Sequence, residues 1–181
     1  HKPHMYINRF IKTELWSNVL AGSMLSLQGE VADLDTYFEV HNIGKNQGFR
    51  WKGVDFQLVQ AVHIMSGFHI VPSFGLLFTI NGVNTFLTTD TQFSPAQITD
   101  FYKRADLIFH DCETSPFRSN VHAHYEQLCT LPRDIKQKMW LYHYQDGKLP
   151  NAAADGFLGF VQKGQSFDFD QPGAMLSARP T

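Results

Sequence analysis

Four apolar stretches of this sequence run directly into side chains that can bind a cation or carry a proton. Phe56–Val62 is followed by His63, Thr85–Thr89 by Asp90, Leu107–Phe109 by His110-Asp111, and Met139–Tyr142 by His143. Buried strands that deliver imidazoles and carboxylates to one edge provide the rigid support that a metal or catalytic site needs. Neutral imidazole nitrogen and carboxylate oxygen suit zinc, and also manganese or iron. Taken singly, each residue has a plainer reading. A lone strand-end His more often bonds the backbone than a metal, and a strand-end Asp often caps the following turn. His110, directly after Phe109, is expected to point inward in a structural role, while His1, His4 and His41 read as surface residues without partners. The joint pattern is what favours chemistry.

The elements that must position these residues follow from period and turn chemistry. Met5–Ile7 reads as a short strand leading into a helix whose Phe10, Ile11, Leu15, Trp16, Val19 and Leu20 form one apolar face. Residues 22–35 read as loop. Strands are expected at Tyr37–His41, Gly48–Trp51, Phe56–His63, Phe74–Ile80 and Thr85–Thr89, with Lys52-Gly53 and Asn81-Gly82 as hairpin turns. Ser94-Pro95-Ala96-Gln97 starts a helix with Ser94 as cap, Pro95 at the first position and Gln97 completing a capping box. Its buried stripe is Ile98, Phe101, Tyr102 and Ala105. A strand at Leu107–Phe109, a helix over Ala123–Leu131, a helical turn over Pro132–Gln137 and a strand at Met139–Tyr142 come next. Phe157–Val161 and Phe167–Phe169 read as closing strands. A β-meander followed by β-α-β-α-β predicts an α/β fold, a mixed sheet with helices on its outer face.

Composition bounds the function classes. With 181 residues, 43% hydrophobic and 18% charged, the chain is globular material for a single domain. Fifteen Lys plus Arg against seventeen Asp plus Glu argue against a surface that tracks nucleic-acid backbone throughout. Cys112 and Cys129 are too few and too scattered for a disulfide scaffold, which favours a reducing, cytoplasmic setting. The apolar runs are strand-sized, so no membrane association is expected, and the N-terminus does not read as a signal peptide.

The order of motifs also carries a resemblance. Thr88-Thr89-Asp90-Thr91 through His143 resembles the second half of ribonuclease Z and related metallo-β-lactamase-fold phosphodiesterases, the cyclic-nucleotide phosphodiesterase-like branch included. In that family a strand ends Gly/Thr-Asp-Thr, and Asp90 matches the Asp that bridges two metals. A short strand ending His-Glu-Ala-Thr follows; here it reads His110-Asp111-Cys112-Glu113-Thr114, with Asp in place of Glu. His122-Ala123-His124-Tyr125-Glu126-Gln127 keeps the family's His and Glu-Gln at matching spacing, and His143 matches the last metal-binding His. Pro72-Ser73-Phe74-Gly75-Leu76 is similar to the family's Ser/Ala-Phe-Gly-Tyr strand, which a ligand His precedes. His69 has the closer spacing for that role; His63 ends the better strand, with a lengthened loop after it, and is preferred. The resemblance runs from Met5 to Val161.

It implies a metallo-β-lactamase-like αββα sandwich, of which residues 1–181 form one partial, C-terminal domain. His63, Asp90 and His143 would be metal ligands for two divalent ions, zinc first, with manganese or iron as options. A bridging hydroxide would attack phosphorus. His122 would donate the proton to the leaving oxygen, oriented and kept protonated by Asp111, while His124 reads as an ordinary helix start. The loops between Asp90 and His143 are short and not basic, unlike the long arm of tRNA-processing members. That favours a small phosphodiester such as a cyclic nucleotide over the alternative, a tRNA 3′-processing-type endonuclease. Trp16, Trp51, Phe117 or Tyr144 could stack on a base, although ordinary packing is the plainer reading of each. A homodimer is expected by the same resemblance. The family's His-x-His-x-Asp-His is absent from the sequence and would fall just before His1. Three readings follow: a fragment of a longer protein, half of a split protein completed by another chain, or an inactive remnant that binds or dimerises.

Overall fold

A computed structural model describes residues 1–44 and 47–175, in two compact units, residues 1–49 and residues 50 onward. The first unit opens with β1 (His4–Asn8), whose last residue caps α1 (Arg9–Glu14) by accepting the Phe10 N–H at 3.0 Å. The run continues through a π-helical turn (Leu15–Leu20) into α2 (Ala21–Met24), and none of its residues is buried. The expected apolar face is covered in part: Ile11, Leu15, Trp16 and Leu20 are half-buried, while Phe10 and Val19 are 56% and 65% exposed. The π-helical turn rotates the positions that α-helical spacing would align.

Residues 22–35 are more ordered than the expected loop. A hairpin pairs β2 (Ser26–Leu27) with β3 (Glu30–Val31) around Gly29, at φ 90°. It leads to α3 (Leu34–Tyr37), closed by a reciprocal capping box between Asp33 and Thr36. Because α3 takes up Tyr37, the next strand, β4, lies at Glu39–Ile43 and not at Tyr37–His41. It pairs in parallel with β1, His4 opposite Glu39 and Tyr6 opposite His41.

The local turn signals of the second unit hold. Lys52-Gly53 (φ 47° and 84°) joins β5 (Gly48–Trp51) to β6 (Val54–Ser66), and Asn81-Gly82 (φ 48° and 80°) joins β7 (His69–Ile80) to β8 (Val83–Leu87). Positive φ at both turn residues is what a type I′ hairpin turn demands. β6 and β7 are longer than expected, so residues 63–72 are a paired hairpin end and not a lengthened loop. α4 (Pro95–Arg104) starts with Pro95 as expected, but Ser94 makes no side-chain cap and Gln97 instead reaches the Gln60 carbonyl at 3.1 Å. β9 (Leu107–Asp111) includes His110 and Asp111 in the strand itself.

α5 covers only Tyr125–Leu128, since tight turns from Gln127 to Thr130 and from Leu128 to Leu131 end it before Pro132. α6 (Arg133–Lys136), β10 (Met139–Tyr142), β11 (Gly159–Phe160) and α7 (Pro172–Met175) complete the described chain. Phe167–Phe169 is not a strand; Phe167 packs its ring on Phe109 and Trp140 at 4.7 and 5.6 Å, so its apolarity serves packing.

One seven-stranded mixed sheet results, in the order β11-β10-β9-β8-β7-β6-β5. β6, β7 and β8 are antiparallel neighbours, while β8, β9, β10 and β11 run in parallel, as the meander followed by β-α-β-α-β predicts. Phe86, Ile98, Tyr102, Ile108, Leu128 and Leu141, all at most 1% exposed, form the centre of the core under α4. Among the described residues no helix is long and apolar enough to cross a membrane.

Candidate metal centre

Three parallel strands reach one edge of the sheet together. Leu87 pairs with Phe109 and Asp111 with Tyr142, so Asp111, the last paired residue of its strand, falls beside Thr88-Thr89-Asp90 and His143, which lie just beyond the ends of theirs. Ligand sites form at such carboxyl edges because side chains from separate strands converge there on a rigid base.

Asp111 is the hub. Its side chain is fully buried, and its Oδ2 accepts the Thr91 N–H at 2.8 Å and lies 2.7 Å from His122 Nδ1. Its Oδ1 lies 3.1 Å from His143 Nδ1, and its own N–H donates to Thr88 Oγ1 at 3.0 Å. Asp90 reaches His143 Nδ1 at 3.8 Å, and the His122 and His143 rings meet edge to face with centroids 4.5 Å apart. Ligand atoms of Asp90, Asp111, His122 and His143 all lie within 4.8 Å of one another.

His63 joins them by a different device. The β6–β7 register slips between Val62 and Ile64, making His63 the extra residue of a bulge inside β6 and not its terminal residue. Bulges re-aim a side chain out of the ordinary alternation. The freed Val62 carbonyl accepts the Gln92 N–H at 2.9 Å, which stitches the bulge to the Asp90 loop. The His63 ring centre stands 5.3 Å from that of His122, and its buried Nδ1 finds no hydrogen-bond partner among the described residues. His69 sits beside the hairpin tip, exposed and paired with Ser66, away from this group. His63, Asp90, Asp111, His122 and His143 are thus gathered, and His69 is not.

Backbone strain marks the same place. Thr89 and His143 hold φ of 55° and 67°, a region costly for residues with a Cβ and a rare one for a β-branched residue. Such conformations persist when surrounding bonds over-determine them, and cluster where geometry serves function.

The other histidines of the segment are spoken for. His110 is wholly buried between Tyr102 Oη (2.5 Å) and the Asp111 carbonyl (2.6 Å), and burial pushes its imidazole down to about 4. Its expected structural role fits. His124 caps α5, accepting the Glu126 N–H at 3.3 Å on Nδ1 and facing the Ser115 carbonyl at 2.9 Å with Nε2. The His122 loop is pinned at its base by a bridge between Glu113 and His124. Burial works against the Glu113 carboxylate, but hydrogen bonds from Ser119 and Ser115 outweigh it and hold the carboxyl below its usual range. Gln92 Nε2 ties the Asp90 loop to the Asn120 carbonyl at 2.5 Å. Sequence reasoning missed Thr91, Gln92 and the anchoring by Glu113. Their only signal was adjacency to Asp90 and Asp111, since each acts through backbone contacts that pattern does not reveal.

The donor set fits a divalent transition cation: imidazoles, carboxylates and one buried imidazole nitrogen without a partner among the described residues. This arrangement has counterparts. The family model described as Anti-Pycsar protein Apyc1 matches residues 1–167. The chain is 25% identical over 170 residues to the Anti-Pycsar protein Apyc1 of Paenibacillus xerothermodurans, covering 92% of this chain and 65% of that protein. To its namesake from Paenibacillus harenae it is 29% identical over 150 residues, covering 80% and 57%. It therefore spans under two thirds of the length of these relatives. The metallo-β-lactamase fold protein YhfI from Bacillus subtilis is similar with a TM-score of 0.58 and 15% identity, over 89% of this chain and 62% of that one. Unliganded yeast PDE1 is similar with a TM-score of 0.57 and 10% identity, over 87% and 52%. The fold is metallo-β-lactamase-like, mixed α/β as the motif order implied. Matched by the family model over all but its last residues, the chain belongs to the Anti-Pycsar protein Apyc1 family.

Proposed function

We propose that this chain carries part of a metal-dependent phosphodiesterase site whose substrate is a small cyclic nucleotide. The observation that carries the reading is the Asp111–His122 pair, 2.7 Å apart, beside the side chains of Asp90 and His143. His63, Asp90 and His143 would hold the cations, zinc first, with manganese or iron as options. Bound there, divalent cations supply Lewis acidity, neutralising charge on the phosphoryl oxygens and making a nucleophile available near neutral pH. Asp111 grips His122 through Nδ1 and leaves Nε2 to hand a proton to the departing ester oxygen. An acid so placed contributes about 10²–10⁴-fold.

A small substrate is supported by the loops around the site. The loop that carries His122, residues 112–124, contains Arg118 as its one Lys or Arg, and that guanidinium is paired with Glu126 at 2.8 Å. The homodimer and the cytoplasmic setting belong to the same proposal, the second supported by the free thiols of Cys112 and Cys129.

The test is metal content and hydrolysis of bis-p-nitrophenyl phosphate and 3′,5′-cyclic nucleotides by the zinc- or manganese-loaded protein. His122→Ala should retain its metal and lose rate by about 10²–10⁴-fold. Metal loss in that variant would overturn the acid role. No turnover by the loaded protein would overturn the phosphodiesterase reading.

A further inference from the structure

A second group of ligands lies outside the site described above, wholly within the first unit. The parallel register of β1 and β4 sets His4 opposite Glu39, and His41 two residues further along β4. Side chains two apart on a strand share a face, so all three stand on one face of the ribbon. His4 Nδ1 and His41 Nε2 are 2.9 Å apart. Glu39 offers Oε2 to His4 at 3.4 Å and Oε1 to His41 at 3.7 Å.

Those separations are what a cation would require. Bonds of about 2.0–2.2 Å to nitrogen and oxygen put tetrahedral ligand atoms roughly 3.3–3.5 Å apart, and the observed values bracket that figure. The rings are also held in place. His41 stacks on Tyr6 at 4.6 Å and 16°, and Tyr6 on Phe49 at 4.5 Å and 23°, forming a column that orients the imidazole before any ligand arrives. The side chains remain 43%, 55% and 35% exposed for His4, Glu39 and His41, which leaves room for water as a further ligand.

We propose that His4, Glu39 and His41 form a separate site for a borderline divalent transition cation, zinc above all, which clamps β1 to β4. Two imidazoles select against magnesium and calcium, which take oxygen ligands. A clamp is useful here because an isolated two-stranded pairing is marginal by itself. The proposal goes beyond the phosphodiesterase reading and stands independently of it.

The experiment removes the first site and reads the second. In the His63→Ala/Asp90→Ala/His143→Ala protein, one equivalent of zinc should remain by elemental analysis. Cobalt(II) should give the visible absorption of a four-coordinate ion. His41→Phe, which keeps the ring in its stack, and His4→Gln should each abolish both signals while the circular dichroism spectrum is unchanged. Zinc addition should raise the melting temperature of the triple variant and leave that of its His41→Phe derivative unmoved. No bound zinc in the triple variant, or zinc and cobalt signals that survive both substitutions, would overturn the site.

Discussion

Replacing Asp111 separates the structural from the chemical work of the hub. Its carboxylate meets three donors, but they differ in what its loss would cost. The Thr91 N–H belongs to a fully buried residue, whereas His122 and His143 are 19% and 47% exposed and can turn to water. A buried donor left unpaired costs about 1–3 kcal/mol, and the imidazoles, which can reach water once the carboxylate is gone, add less. Asp111→Ala should therefore destabilise by about 2 kcal/mol, lowering the melting temperature by roughly 4–8 °C for a chain of this size. In Asp111→Asn the amide oxygen can keep the Thr91 N–H, so stability should fall by less than about 1 kcal/mol. Its NH₂ then faces His143, and the negative charge beside His122 is gone. The phosphodiesterase rate should drop by about 10²-fold or more. Thermal and urea unfolding of the two variants, with bis-p-nitrophenyl phosphate turnover, provide the assay. If Asn costs as much stability as Ala, the Thr91 account is wrong. If Asn retains the wild-type rate, Asp111 does not position His122.

Two further outcomes are expected. Burial holds His110 neutral, its pKa lowered to about 4 from the usual value near 6.5. The folded value lies below the unfolded one, so this contribution is complete above about pH 6.5 and is lost as pH falls toward 4, when the unfolded chain takes up the proton first. The size is roughly 3 kcal/mol, and stability measured against pH should slope less steeply over that window in His110→Gln; equal slopes would assign the effect elsewhere. Gly75→Ala would set a Cβ 2.8 Å from the Leu87 carbonyl oxygen and 3.0 Å from that of Thr88, just before the Asp90 loop. Such overpacking costs about 1–3 kcal/mol, and metal content should fall along with the melting temperature; an unchanged protein would show that the strands can part freely there.

What the sequence determined alone was what neighbouring residues decide among themselves. Lys52-Gly53 and Asn81-Gly82 tolerate positive φ, so the hairpins were legible. Met139–Tyr142 is an unbroken apolar run, so its strand and the His143 after it were legible too. Extents were less so. β6 runs on past His63 because its pairing with β7 continues, and α5 stops after Leu128 because turns close ahead of Pro132. Neither event is visible in hydrophobic period.

Only the tertiary structure decided which groups meet. The slip that turns His63 toward His122 exists between two strands and belongs to neither. Asp111 and His143 share a hydrogen bond across 32 residues because Tyr142 pairs with Asp111 in parallel. His4 and His41, read as unpartnered surface residues, meet across 37 residues by the register of β1 on β4. Strand registers are set by the balance of every pair along two strands, a sum over distant residues that local spacing does not contain.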